Sequence, residues 1–136
     1  MAAEIHVQLR QLSATTTEAV IGGHKVLVDR PLEKGGSGLG PMGGELFLAS
    51  IGGCFMSNLL AAIRARELGI SGVRTDVTGT LDGAPARFTG ITLRVTAANT
   101  DAETLRKLVD IADRGCIMMN TLRGKLDVRI DVEQTA

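Results

Sequence analysis

The feature that most restricts the fold of this 136-residue chain is a stretch without any charged residue, from Leu46 to Ile63. Its length is close to the roughly 20 apolar residues with which a helix crosses a membrane. Two serines, an asparagine and two glycines dilute it, however, and a strand-rich remainder needs a helix to cover its sheet. We therefore expect a long central helix in the core of a soluble protein, and no membrane partner.

A helix that is apolar nearly all round must be covered nearly all round, and one sheet in a small domain covers only one side. The uncovered side predicts contact with a second subunit. Arg64 and Arg66 restore polarity at the end of the helix, and Gly69 is expected to stop it.

Alternating apolar and polar residues predict β-strands on both sides of the central helix. Before it, an N-terminal strand is followed by a hairpin that turns at Gly22-Gly23. After it, two strands are joined by a turn at Asp82-Gly83-Ala84-Pro85, and a half-exposed strand comes last. The apolar positions of the N-terminal strand and of the strands after the helix are Ile5, Val7 and Leu9; Val73, Val77 and Leu81; Ile91, Leu93, Val95 and Ala97; and Leu126, Val128, Ile130 and Val132.

A second, shorter helix is predicted from Thr100-Asp101-Ala102-Glu103, a capping-box spacing, to Gly115, and a short helical turn through Leu122 follows. From Pro31 to Gly44 the chain is rich in glycine and proline, and a flexible linker is favoured there over an active-site lid. The chain thus predicts one α+β domain, residues 1–136, with an antiparallel sheet. The apolar face of the second helix consists of Leu105, Leu108, Val109 and Ala112.

The composition excludes several classes of function. Basic and acidic residues both number 15, so no positive surplus is available to bind nucleic acid. Three phenylalanines, with no Trp or Tyr, offer little for base stacking. The N-terminal residues lack the basic and apolar segments of an export signal, which predicts a cytoplasmic protein. The two cysteines and two histidines lack the spacing of a zinc site, and no metal or other cofactor is expected.

The two cysteines, Cys54 and Cys116, are the candidates for chemistry. Cys54 follows Gly52-Gly53 within the central helix, and paired glycines there indicate a close approach by another element. A free cysteine is by default a buried packing residue, so an inert thiol and a nucleophile are both open readings of Cys54. In a reducing cytoplasm the two thiols are either inert or a transient redox pair.

Activation of Cys54 requires a group from outside its own helix face, which carries no charge. Cys54 is also too far from the start of the helix to benefit from the helix dipole. A cation from elsewhere is therefore expected, and the sequence leaves Arg10 and Arg30 as equal candidates. Glu45 lies nine residues before Cys54, about 13 Å along a helix and on its opposite side. Glu45 either favours the helix dipole or acts through an arginine.

Several segments around the two cysteines share their order and content with a known family: Gly35-Gly36, Gly40-Pro41, the run from Glu45 to Cys54, Cys116, and Asn120-Thr121-Leu122. Together they resemble the OsmC/Ohr family of osmotically induced and organic hydroperoxide resistance proteins over essentially the whole chain. The resemblance implies the OsmC-like fold and an intertwined homodimer with active sites at the subunit interface.

The resemblance also implies a function. Cys54 takes the place of the peroxidatic cysteine, and Cys116 that of the resolving cysteine, in a thiol peroxidase that acts on organic hydroperoxides. The partners implied are an organic hydroperoxide and a dithiol reductant such as a lipoylated protein. Glu45 matches an acidic position that is common in the broader family.

The chain resembles the broad OsmC-like branch more than the better-studied peroxidase branch. The peroxidase branch has a glutamate where this chain has Gly44, and a proline where this chain has Ile117. A redox-sensing or small-molecule-binding dimer without efficient peroxidase turnover is therefore the alternative function. A structural dimer with inert thiols is the third.

Overall fold

The computed structural model describes residues 2–134, which form two compact units, residues 2–47 and 48–134. The first helix, α1 (Gly43–Ala65), begins in the first unit and continues into the second. The expected single domain over residues 1–136 includes Met1, Thr135 and Ala136, which lie outside the described residues, and it stays a prediction. The α+β class is confirmed, since both units contain a sheet and the chain also forms helices.

The first unit contains an antiparallel sheet of β1 (Gln8–Gln11), β2 (Thr17–Ile21) and β3 (His24–Val28), in that order. The hairpin predicted at Gly22-Gly23 is confirmed, because the flanking strand residues pair directly across this two-residue turn. Gly22 has a φ of 60°, in the left-handed region that such turns require. The first strand is shorter than the alternation of apolar residues predicted.

Asp29 organises the glycine-rich loop that follows β3. The residue is only 3% exposed, and its backbone N–H donates to the carbonyl of Pro41 at 3.0 Å. The segment is therefore a folded loop, with a short 3-10 turn at Leu32–Lys34, rather than the flexible linker expected. The Asp29 carboxylate accepts four hydrogen bonds: from the Thr16 hydroxyl at 2.8 Å and from the backbone N–H groups of Arg30 at 2.7 Å, Ser37 at 3.3 Å and Leu39 at 3.3 Å.

Acid should weaken the fold through Asp29. Burial acts to raise the pKa of Asp29, but the hydrogen bonds from Thr16 and from three backbone N–H groups prevail and lower it from 3.8 to about 2. Because the pKa is lower in the folded chain than in the unfolded chain, the carboxylate stabilises the fold fully above about pH 4. That stabilisation is lost as the pH falls through about 2.

We expect Asp29→Asn to lower the Tm at neutral pH and to approach the wild-type Tm as the pH falls towards 2. Thermal unfolding followed by circular dichroism over this pH range measures the difference. Asp76→Asn is the matched control, because Asp76 is exposed and pairs with Arg74 at the surface. The Tm of this variant should differ little from that of the wild type. Equal Tm values for Asp29→Asn and the wild type at neutral pH would contradict the assigned role.

The second unit contains a sheet in the order β4 (Ser71–Asp82), β5 (Arg87–Ala98), β6 (Asp127–Gln134). β4 and β5 are antiparallel, but β6 runs parallel to β5, so the expected antiparallel arrangement is wrong for this strand. The reason is the connection. α2 (Ala102–Gly115) and α3 (Ile117–Leu122) link β5 to β6, and a helical crossover returns the chain to the end of the sheet where β5 began.

α2 and α3 follow the sequence pattern closely. α2 ends at Gly115, as expected, and α3 is the short turn predicted through Leu122. The N-cap of α2 is Asp101 rather than Thr100, since the Asp101 carboxylate accepts the backbone N–H of Thr104 at 2.7 Å.

α1 packs on one face of the second sheet. An added Cβ at Gly52 would lie 2.9 Å from the Val77 side chain on β4. The close approach indicated by the paired glycines is therefore made at Gly52, whereas an added Cβ at Gly53 would meet nothing within 4 Å. The core residues of this unit are Ile51, Phe55 and Leu59 on α1; Ile91, Leu93, Val95 and Ala97 on β5; and Leu105, Leu108, Val109 and Ala112 on α2.

Much of the opposite side of α1 is exposed and uncharged. Leu60 is 48% exposed, and Ala49, Gly53 and Ala61 are exposed as well. By length and composition α1 could cross a membrane, but the core helix of a soluble protein passes the same test. A second subunit that covers this side stays a prediction.

Candidate functional site

Cys54 and Cys116 are brought together where α1 meets the connection between α2 and α3. Cys54 is half-buried on α1, and Cys116 is fully buried between α2 and α3. Both cysteines are free, and their thiols are hydrogen-bonded to each other. The structure thus places the two sequence-predicted cysteines in one site, which is the arrangement that a redox pair needs.

Two backbone N–H groups at the start of α3, those of Ile117 and Met118, donate to the sulfur of Cys54. Partial burial acts to raise the pKa of Cys54. The Met118 N–H, the Cys116 thiol and the Ile117 N–H act against it, and the net result is a pKa below the ordinary value. These donors favour the thiolate, which is the nucleophilic form of cysteine.

The surroundings of Cys116 have the opposite effect. Burial raises the pKa of Cys116, and although the Met119 N–H acts to lower it, the neighbouring Cys54 adds to the increase. Cys54 therefore ionises first, while Cys116 keeps its proton. The retained S–H can then donate to the Cys54 thiolate.

The connection that carries Cys116, here called the α2–α3 junction (residues 114–118), is held by several hydrogen bonds. The Cys116 N–H donates to the Asp113 carbonyl at 3.2 Å, and the Cys116 carbonyl accepts the Asn120 N–H at 3.0 Å. The Asn120 side chain also donates to the Arg114 carbonyl at 3.1 Å. Cys116 is therefore fixed beside Cys54 by its own backbone and by its neighbours.

The sequence assigned the activation of Cys54 to an arginine, but the groups that lower its pKa are backbone N–H groups and a thiol. Backbone N–H donors cannot be identified from the residue type, because every non-proline residue has one. The short helical turn predicted immediately after Cys116 was the one sequence feature that indicated free N–H groups near this cysteine. Arg10 pairs with Glu18 within the first sheet at 2.8 Å. An action of Arg10 or Arg30 on Cys54 stays a prediction.

Glu45 lies in the first turn of α1, where its carboxylate accepts the backbone N–H of Met42 at 2.9 Å. This contact ties the side chain to the start of the helix and favours the helix dipole. Cys54 follows nine residues later on the same helix, about 13 Å along its axis. The site on α1 and the α2–α3 junction is therefore built from the two cysteines, and a catalytic role of Glu45 stays a prediction.

Among residues 2–134, no group of three or more His, Cys, Asp or Glu side chains is placed to hold a metal ion. The chemistry available to the described site is that of two adjacent thiols with different acidities. Such a pair can give two electrons to an oxidant and close to a disulfide.

Comparison with known proteins identifies the family. The family model for OsmC-like protein matches residues 35–131, a range that includes both cysteines and Glu45. A search of curated proteins found no match.

Solved structures share the fold at low sequence identity. An OsmC-like protein from Mycoplasma pneumoniae superposes with a TM-score of 0.85 at 18% identity, with 100% of each chain covered. The organic hydroperoxide resistance protein OsmC from Legionella pneumophila superposes with a TM-score of 0.75 at 21% identity, with 98% of each chain covered. The organic hydroperoxide resistance protein OhrB of Bacillus subtilis superposes with a TM-score of 0.69 at 22% identity, and the alignment covers 96% of this chain and 98% of the OhrB chain. Since the family model covers well over half of its length, this chain belongs to the OsmC-like protein family.

Proposed function

We propose that this protein is a thiol peroxidase that reduces organic hydroperoxides to alcohols, with Cys54 as the nucleophile and Cys116 as the resolving thiol. One observation carries this conclusion: the two thiols are hydrogen-bonded, and their pKa values are shifted in opposite directions. Membership in the OsmC-like family, and the fold shared with proteins named for organic hydroperoxide resistance, support the class of substrate.

The reaction proceeds in two steps within the protein. The Cys54 thiolate attacks the terminal oxygen of the hydroperoxide, the O–O bond breaks, and the departing alkoxide takes up a proton to become the alcohol. Cys54 is then a sulfenic acid. The Cys116 sulfur attacks it, water leaves, and a Cys54–Cys116 disulfide forms. An external dithiol reduces this disulfide by exchange and is itself oxidised to a disulfide.

The active form in this proposal is a homodimer. The exposed apolar side of α1, which includes Leu60, supports a second subunit there. A partner on that side would enclose an apolar approach to the half-buried Cys54, which suits fatty or aromatic hydroperoxides better than hydrogen peroxide. A cytoplasmic dithiol such as a lipoylated protein is the proposed reductant. In this proposal Glu45 acts on Cys54 indirectly, through an arginine that is either Arg10 or Arg30.

The test is the fate of each sulfur after one equivalent of cumene hydroperoxide without reductant, followed by intact-mass spectrometry with dimedone present. The wild type should form the intramolecular disulfide and gain no dimedone adduct. Cys116→Ser should gain one dimedone adduct at Cys54, because the sulfenic acid then has no thiol to meet. A wild type that keeps both thiols titratable after excess hydroperoxide would contradict the proposal and favour inert structural thiols.

A redox-sensing dimer is the second candidate, favoured by the absence of a carboxylate at Gly44. It predicts the same disulfide, but without sustained turnover. Repeated additions of cumene hydroperoxide with dihydrolipoate as reductant separate the two functions. A peroxidase consumes each addition, whereas a sensor reduces its disulfide too slowly to consume more than about one equivalent per chain.

A further inference from the structure

Asn58 lies one helical turn after Cys54 on α1 and reaches towards the α2–α3 junction. Its side-chain amide nitrogen donates to the Cys54 carbonyl at 2.9 Å. Its amide oxygen faces the backbone of Gly115, where an added Cβ would lie only 3.1 Å from that oxygen. Asn58 therefore touches both partners of the thiol site: the residue that carries the nucleophile, and the segment that carries the donors.

Gly115 has no side chain at the point where Asn58 meets it. Its φ is not among the positive values in the described chain, so its backbone conformation is open to any residue. Gly115 is the last residue of α2, and neither its φ nor a cap requires a glycine there. The missing side chain is therefore explained by the contact, because it lets the Asn58 amide lie directly against the backbone of α2.

The residues immediately after Gly115 are those that act on Cys54. Cys116 supplies the thiol, and Ile117 and Met118 supply the two N–H donors. The other side of the junction is fixed by Asn120, which bonds to the Arg114 carbonyl. A displacement at Gly115 would therefore be passed on to all three donors.

We infer that Asn58 is a positioning residue, which sets the spacing between α1 and the α2–α3 junction at which the Cys116 thiol and the two backbone N–H groups meet the Cys54 sulfur. This role rests on the proposed function of Cys54 as a nucleophile. Cys116 is the ionisable side chain that acts on Cys54, and Asp113, at the end of α2, is paired with Arg123 at 3.2 Å.

The experiment measures the rate at which iodoacetamide alkylates Cys54, resolved from Cys116 by peptide mass spectrometry, as a function of pH. Four proteins are compared: the wild type, Asn58→Ala, Gly115→Ala and the double variant. We expect each single variant to raise the midpoint of Cys54 alkylation by about one pH unit, because each displaces donors that stabilise the thiolate. The double variant should have the midpoint of Asn58→Ala rather than the sum of both increases, because shortening residue 58 removes the atom that a methyl group at residue 115 would meet.

Two substitutions that destabilised the protein independently would instead add their effects. Gly69→Ala is the control, because an added Cβ there meets nothing within 4 Å, and its midpoint should equal that of the wild type. Unchanged midpoints in both single variants, or a double variant raised further than either, would overturn the role of Asn58. If Gly115→Ala fails to fold, Asn58→Ala alone decides.

The same data test the nucleophilic role of Cys54 and the positioning role of Asn58 separately. A wild-type midpoint at the ordinary value of a free thiol would count against the proposed nucleophile itself. A low wild-type midpoint that Asn58→Ala leaves unchanged would count against the positioning role alone.

Discussion

Cys54→Ser should reduce the consumption of cumene hydroperoxide to the level seen without protein, a fall of at least about a thousandfold. A serine hydroxyl does not ionise near neutral pH, so the donors from Ile117 and Met118 have no anion to stabilise. A spectrophotometric assay of residual hydroperoxide, with dihydrolipoate as reductant, measures the loss.

The control is Cys116→Ser, which should consume its first equivalent at nearly the wild-type rate because it retains the nucleophile. The wild-type rate should also rise with pH as Cys54 ionises. Below the Cys54 pKa, each further decrease of one pH unit should slow the reaction by about tenfold. Hydroperoxide consumption by Cys54→Ser at the wild-type rate would rule out Cys54 as the nucleophile.

Gly36→Ala should cause the largest loss of stability in the first unit, about 3 kcal/mol or more. An added Cβ at Gly36 would overlap the carbonyl oxygen of Arg30 and lie 2.5 Å from its carbonyl carbon. Both atoms belong to the backbone, so no rotamer change relieves the overlap. The loop must open, which separates the N–H donors of Ser37 and Leu39 from the Asp29 carboxylate. Urea unfolding followed by circular dichroism measures the change.

Gly43→Ala is the matched control for this substitution. An added Cβ at Gly43 meets nothing within 4 Å, and the residue lies in the first turn of α1, where alanine is the better helix former. Its stability should equal or slightly exceed that of the wild type. Equal losses in the two variants would show that backbone overlap at Gly36 is not the cause.

The elements of this fold that follow from local patterns were predicted from the sequence. The turn at Gly22-Gly23, the presence of a long α1 and the buried face of α2 each depend on residues that are close together in the chain. The end of α1 was predicted less well, since the helix stops at Ala65 and the residue in the left-handed region after it is Glu67, not the expected Gly69. The direction of β6 was not predicted, because alternation of apolar residues identifies a strand but not its neighbour. The helices between β5 and β6 carried that information, since a helical crossover joins parallel strands.

The site likewise contains residues that the local sequence identified and groups that only the tertiary packing brings together. The two cysteines were identified from residue type and context, whereas the donors from Ile117 and Met118 are backbone groups that every non-proline residue has. Only the packing of α1 against the α2–α3 junction selects these two. Asn58 was visible in the sequence as a neighbour of Cys54 on the same helix face, but Gly115, its contact across the interface, lies 57 positions further along the chain.

The fixed position of Cys116 has a consequence for damage by excess oxidant. Cys116 is buried and already hydrogen-bonded to Cys54 in the reduced protein. In the proposed cycle, resolution then needs no local unfolding, and the sulfenic acid is short-lived. A second hydroperoxide has little time to carry Cys54 on to the irreversible sulfinic acid. Such a protein would tolerate bursts of hydroperoxide that inactivate enzymes whose second cysteine must first travel to the first.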